Sequence, residues 1–327
     1  MSDVPLCFGL DRVADQFPQS LKTARIGLLM NRASIDAGMR LASDVLAEHF
    51  AGQLRALFTP QHGLWGDAQA NMIETDHGWH EALNIPIYSL YSETRRPTAE
   101  MLSEIDCLVI DLQDVGTRVY TYIWTLLECM RACAEADVAI VVLDRPNPIG
   151  GKIVEGPLLD DDYFSFVGGA RIPMRHALTF GEMGKFFCEE FQIDVDLTVV
   201  PMTGWRRDQT FDQLGRHWIA PSPNLPRFES TLVYPGQVLL EGTNLSEGRG
   251  TTTPFEMIGA PFVSPDRLLS AISEYQLPGV RFLPIHFRPS FDKWSCQLCG
   301  GVSILVTDID SFRPYETTLS LIRVIQS

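Results

Sequence analysis

Residues 105–125 read IDCLVIDLQDVGTRVYTYIWT, and how that run divides decides the fold. Cys107 to Ile110 is apolar without alternation, the pattern of a strand buried on both faces in a parallel sheet. Asp111 and Asp114 arrive where such a strand ends. Gly116 supplies a turn, and Arg118, Tyr120 and Tyr122 follow as a helix begins. Open α/β sheets bind ligands outside the carboxyl ends of their strands. The run therefore sets two carboxylates, the Gln113 amide, a guanidinium and two phenols where a ligand is expected. Either aspartate alone is equally well read as a helix cap.

The same pattern repeats on both sides. Arg25 to Asn31, Leu54 to Thr59, Pro86 to Tyr91 and Ala139 to Leu143 read as strands. Leu41 to Phe50, a segment capped by Thr98, and Tyr120 to Ala136 read as the intervening helices. Strands alternating with helices indicate βαβ units, hence a Rossmann-like, mostly parallel sheet with helices on both faces. A helix from Phe180 to Phe191 and a strand from Leu197 to Pro201 extend it. After the polar run EGTNLSEGRGTTTPFEMIGAPF, short strands (Val280 to Pro284, Gly301 to Thr307) and two helical patterns indicate a smaller α+β unit. The expected division is 1–245 and 246–327. The loop TPQHGLWGDAQANMIETDHGWH is long, and ordered long loops in compact domains are usually functional.

A formal charge of −15 leaves no basic surplus for nucleic acid or an anionic membrane. No apolar run reaches membrane-helix length, and the opening MSDVPLCFGLDRV lacks the apolar core of a signal peptide, so a cytoplasmic protein is expected. Seven cysteines, an odd number, fit reduced thiols there. Cys296 and Cys299 form a lone CxxC without a second pair at zinc-finger spacing, and His286 and Cys188 complete no ligand set. No GxGxxG or Walker-type loop follows a strand, so a nucleotide enzyme lacks its fingerprint. No cofactor is expected.

The strand-end loops offer Gln61, His62, Glu74, Asp111, Asp114, Arg118, Tyr122, Asp144, Arg145, Asn147, Glu241, Glu247 and Arg249. Many carboxylates, few histidines, and Trp65 and Trp79 suit a carbohydrate site. Glycoside hydrolysis needs two carboxyl functions, or one acid and an internally attacking substrate group. The same inventory serves a metal-assisted phosphoesterase built on Asp111, Asp114 and Asp144. Neither a Gly-x-Ser-x-Gly elbow nor HExxH is present.

TPQHGLWGD, PIYSLYSETRRPT, IDLQDVGTRVYTYIWT, VVLDRPNPIGG, VEGPLL, PMTGWRRD, APSPNLP and LLEGTNLSEGRGTTTPFEMIGAPF together resemble the exo-β-N-acetylmuramidases of the NamZ family, over nearly the whole chain from about Phe8. The resemblance implies a cleft between the larger and the auxiliary domain. It also implies hydrolytic release of terminal β-linked N-acetylmuramic acid from peptidoglycan fragments, in cell-wall turnover or recycling, with muropeptides or muramyl–glucosaminyl fragments as substrate. Gln61, His62, Asp114, Arg118, Tyr122, Asp144, Arg145, Asn147, Asn244 and Arg249 are the expected substrate contacts. At least one of Arg118, Arg145 and Arg249 is expected to hold the lactyl carboxylate that separates this sugar from N-acetylglucosamine. Two departures stand out. The family motif reads PEHG, with its glutamate the proposed catalytic residue, where this chain has Gln61, which cannot exchange a proton near neutral pH. Glu74, later in the same loop, is the expected replacement, with Glu241 and Glu247 next; a catalytically silent sugar-binding protein is the alternative. The family pattern also continues past Ser327, so part of the smaller domain is expected to be missing.

Overall fold

The computed structural model describes residues 4–69 and 73–326. The apolar runs become strands because each is closed to water on both faces: β1 (Ile26–Met30), β5 (Cys107–Asp111) and β6 (Ala139–Leu143) are buried at every position. β2 (Leu54–Thr59), β4 (Ile85–Ser89) and β7 (Leu197–Val200) lie parallel with them. Among the described residues the sheet has seven strands in the order β3-β4-β2-β1-β5-β6-β7. β3 (Gly78–His80), within the stretch expected to be loop, pairs antiparallel at the edge of β4. Its pattern is too short to carry an alternation signal, and cross-strand pairing alone defines it.

The order reverses between β1 and β5, the switch point at which open α/β sheets present ligands. Register makes the two carboxyl ends level, with Met30 opposite Asp111. Helices α1 (Val13–Gln16), α2 (Ala42–His49), α3 (Ala99–Leu102), α4 (Tyr122–Ala136) and α5 (Phe180–Phe191) complete this unit. Thr98 caps α3 as expected, accepting from Met101 N at 3.2 Å. α4 starts two residues later than its periodicity suggests. Cys129 and Cys133 face the core on it, and burial pushes both thiols up, Cys133 to about 12.

Two compact units emerge. The first comprises Met1–Ile153, Leu159–Arg171 and Ala177–Pro223, and the second Val154–Leu158, Ile172–His176 and Asn224–Ser327. The second therefore begins at Asn224, where a start at 246 was expected. It also takes two earlier stretches, an exchange between segments far apart in sequence that no local pattern marks. Its antiparallel sheet runs β8-β10-β9, from β8 (Met257–Ala260), β9 (Val280–Phe287) and β10 (Cys299–Val306). Helices α6 (Phe228–Gln237), α7 (Pro265–Ile272) and α8 (Pro314–Gln326) pack with it.

Candidate active site

In the first unit the site begins at the end of β1. Asn31, fully buried, folds its side chain back to accept from Ala33 N, while its own N–H donates to Ser34 Oγ at 3.1 Å. The Ser34 hydroxyl in turn donates to the Asp111 carbonyl, which ties this turn to β5. Asn31 Nδ2 donates to the Tyr122 hydroxyl at 2.7 Å and to the Pro221 carbonyl at 3.0 Å. The same hydroxyl donates to Pro221 O at 2.5 Å. Three segments far apart in sequence thus meet at one phenol, and burial raises its pKa. Asn31, Ser34, Thr121 and Pro221 were not anticipated. Only the position of Asn31, just past the central strand, could have signalled it.

Beside this knot, Gln61 follows β2 and is buried, its Oε1 accepting from Thr121 Oγ1 at 2.8 Å. His62 holds φ at 76°, left-handed backbone that is uncommon for a residue other than glycine. Its Nδ1 lies 2.7 Å from the Ala68 carbonyl. A carbonyl only accepts, so Nδ1 carries the proton of this contact.

The aspartates divide differently from expectation. Asp111 forms a buried pair with Arg145, which also donates to the Ile35 carbonyl at 2.9 Å. Asp114 Oδ2 accepts from Gly116 N at 2.7 Å. Neither caps α4, which begins only at Tyr122. Gly116 sits at φ 75°, where an added Cβ would lie 2.4 Å from Asn147 Oδ1, so only glycine fits the turn. Asn147 is itself braced, donating to Leu178 O at 3.1 Å and accepting from Ile149 N at 3.2 Å. Asp144 does not pair with Arg145. It accepts from Gly181 N at 2.7 Å and from the Thr179 hydroxyl at 3.2 Å, and so anchors the start of α5. Burial pushes its carboxyl up to about 6 against those bonds. Arg118 is buried on the loop between β5 and α4, its carbonyl accepting from Trp124 Nε1.

Glu74 stands at the carboxyl edge of β4. Its neighbour Thr75 is fixed there by Tyr91 O at 2.9 Å and Ser89 Oγ at 2.7 Å. Its side chain is 66% exposed, 3.5 Å from Arg95, whose guanidinium lies 3.8 Å over the Tyr91 ring. Trp65 and Trp79 are also exposed.

In the second unit Glu247 is buried between Arg249, 3.0 Å from Oε1, and Lys293, 3.1 Å from Oε2. Arg249 also meets Glu241 at 2.5 Å. Lys293 donates to the Leu240 and Leu245 carbonyls, and Trp294 Nε1 donates to Asn244 O at 2.7 Å. The glycine-rich loop is thereby laced to residues 292–294, and Glu247, one of the expected catalytic candidates, is held as a buried ion-paired carboxylate. Among the described residues no group of three or more His, Cys, Asp or Glu is placed to hold a metal ion. Asp111, Asp114 and Asp144 each turn to a different partner, which the phosphoesterase alternative does not accommodate.

Known proteins bear on this arrangement. The family model described as the N-terminal part of exo-β-N-acetylmuramidase NamZ matches residues 26–229, and the C-terminal model matches 232–327. The chain is 47% identical over 317 residues to the peptidoglycan β-N-acetylmuramidase NamZ of Bacillus subtilis, covering 97% of this chain and 76% of that one. Crystal structures of two DUF1343 family proteins from Bacteroides fragilis superpose with TM-scores of 0.91 and 0.73, at 35% and 31% identity. They cover 99% and 96% of this chain, and 83% and 79% of those chains.

Proposed function

The chain belongs to the exo-β-N-acetylmuramidase NamZ family, and from that premise we propose that it is a glycoside hydrolase releasing terminal β-linked N-acetylmuramic acid. The observation that carries this beyond the family match is the knot at the switch point. Asn31, Gln61, Thr121 and Tyr122 converge from three strand-end loops at the edge where this fold presents ligands. Pre-set hydroxyls and amides of this kind orient a sugar, and the exposed Trp65 and Trp79 offer faces to its ring.

Glu74 is our choice for the proton donor. Asp111, Asp114 and Asp144 are spent on Arg145, the Gly116 turn and α5, whereas Glu74 is open to a dissolved glycan. Its proton passes to the glycosidic oxygen as the C1–O bond breaks, and water or the sugar's own acetamido oxygen closes on C1. Gln61 keeps the position of the family carboxylate but serves as a hydrogen-bonding amide.

The substrates we favour are muropeptides and short muramyl–glucosaminyl fragments, turned over in the cytoplasm during recycling. All seven cysteines are unpaired, which suits a reducing compartment. The test is incubation with a chromogenic β-N-acetylmuraminide beside the matching glucosaminide. Release from the muraminide supports the reading, and no release from it at any pH between 5 and 9 refutes it.

A further inference from the structure

We propose that Arg32 is the residue that reads the anionic ether side chain of the muramyl sugar, so that this guanidinium sets the preference for the muraminide over the glucosaminide. This rests on the functional reading above and deepens it.

Three observations point to Arg32. The first is placement. It occupies the tip of the Asn31–Ser34 turn at the carboxyl end of β1, the central strand at the switch point. That turn is fixed from within by Asn31 and Ser34, and from without by Tyr122, Pro221 and the Asp111 carbonyl. The backbone that carries the guanidinium is therefore pre-organised, which lowers the entropy lost on binding. The second is packing. Gly66, at φ 66° in the Gln61 loop, leaves space for the Arg32 stem: a Cβ there would lie 3.1 Å from Arg32 Cδ. The stem is thus laid against the loop that holds Gln61 and the exposed Trp65, while the side chain remains exposed.

The third is electrostatic. Among the described residues no carboxylate, carbonyl or ring engages the Arg32 side chain, whereas two of the three arginines expected to bind the lactyl group, Arg145 and Arg249, are committed. Arg145 is held by Asp111, and Arg249 by Glu241 and Glu247. Elsewhere on the same unit Arg95 meets Glu74 and Arg216 meets Asp11. In a chain of net charge −15 an exposed cation at the switch point is a local attraction for an anionic sugar. Arginine can hold a carboxylate through two parallel bonds, a geometry lysine lacks.

The experiment compares parent protein, Arg32→Ala, Arg32→Lys and Arg55→Ala. Arg55 is exposed on β2 and controls for the bulk loss of a charge. Hydrolysis of the chromogenic muraminide and glucosaminide is measured at low and high salt, with calorimetric binding of free N-acetylmuramic acid and N-acetylglucosamine. Arg32→Ala should lower kcat/KM for the muraminide roughly tenfold and leave the glucosaminide unchanged. Arg32→Lys should recover part of the loss, and the parent's salt sensitivity toward the muraminide should vanish in Arg32→Ala. A preference kept within twofold by Arg32→Ala, or lost equally in Arg55→Ala, overturns the proposal. A parent that binds the muramyl sugar through Arg32 without cleaving it overturns the hydrolase reading alone. A parent that neither binds nor cleaves it sinks both.

Discussion

Arg145 and Asp111 form a two-pronged ion pair closed to solvent, Nε to Oδ1 at 2.5 Å and Nη2 to Oδ2 at 2.8 Å. Burial alone would push the Asp111 carboxyl up, and Arg145 opposes that shift. The pair sits where β5 and β6 end, so it joins two strand-end loops rather than awaiting a ligand. Removing one partner leaves the other charged and buried. Arg145→Met should cost about 3–5 kcal/mol of unfolding free energy, and Asp111→Asn with Arg145→Met should recover much of it. Urea denaturation of the parent and the two variants checks this, and an Arg145→Met protein as stable as the parent contradicts it.

Asp144 makes stability depend on pH. Its folded-state value near 6 exceeds the ordinary 3.8, so the folded protein binds the proton more tightly than the unfolded chain does. That contribution is fully present below about pH 4 and is lost as the pH rises through about 6. The full effect is about 3 kcal/mol at 1.36 kcal/mol per pH unit. Asp144→Asn should flatten the parent's stability profile between pH 4 and 6. Parallel profiles for parent and variant would show that Asp144 does not titrate there.

Glu74→Gln should lower kcat for the muraminide by about 10²–10⁴ while leaving KM within a few-fold, as removal of a general acid does. Asp67→Asn, in the same loop, should retain activity. Gln61→Glu should keep or raise turnover, because a carboxylate oxygen can still accept the Thr121 hydroxyl. Unchanged turnover in Glu74→Gln would move the search to Glu241.

Arg249→Ala should destabilise the second unit, by about 3–5 kcal/mol, since Glu247 would keep only Lys293 as its cationic partner. Where the variant is folded, its preference between the two sugars should match the parent's. A narrowed preference at unchanged thermal stability would return Arg249 to substrate binding.

Most of the larger unit was legible because its strands are buried on both faces, and an unbroken apolar run of strand length states that environment directly. Cys107–Ile110 and Ala139–Leu143 are strand in sequence and structure alike. The strand-end rule then placed Gln61, Asp114 and Asp144 on one edge without any coordinates. The partners of those residues were illegible. Asp144 reaches α5 across 37 residues and Arg145 reaches Asp111 across 34, and nothing local distinguishes a carboxylate that caps from one that waits for substrate.

By itself the sequence determined the βαβ order, the edge at which chemistry is presented and the motifs that define the family. These follow from periodicity, strand-end polarity and turn residues, all of which act over a few neighbours. Only the tertiary structure decided which charges are consumed. Arg145, Arg249 and Glu247 are neutralised by partners brought together by folding, whereas Arg32 lies on a locked turn with no such partner among the described residues. Burial governs that outcome: a charge taken out of water must find its opposite within a few ångströms, and only the assembled chain sets what lies within that distance.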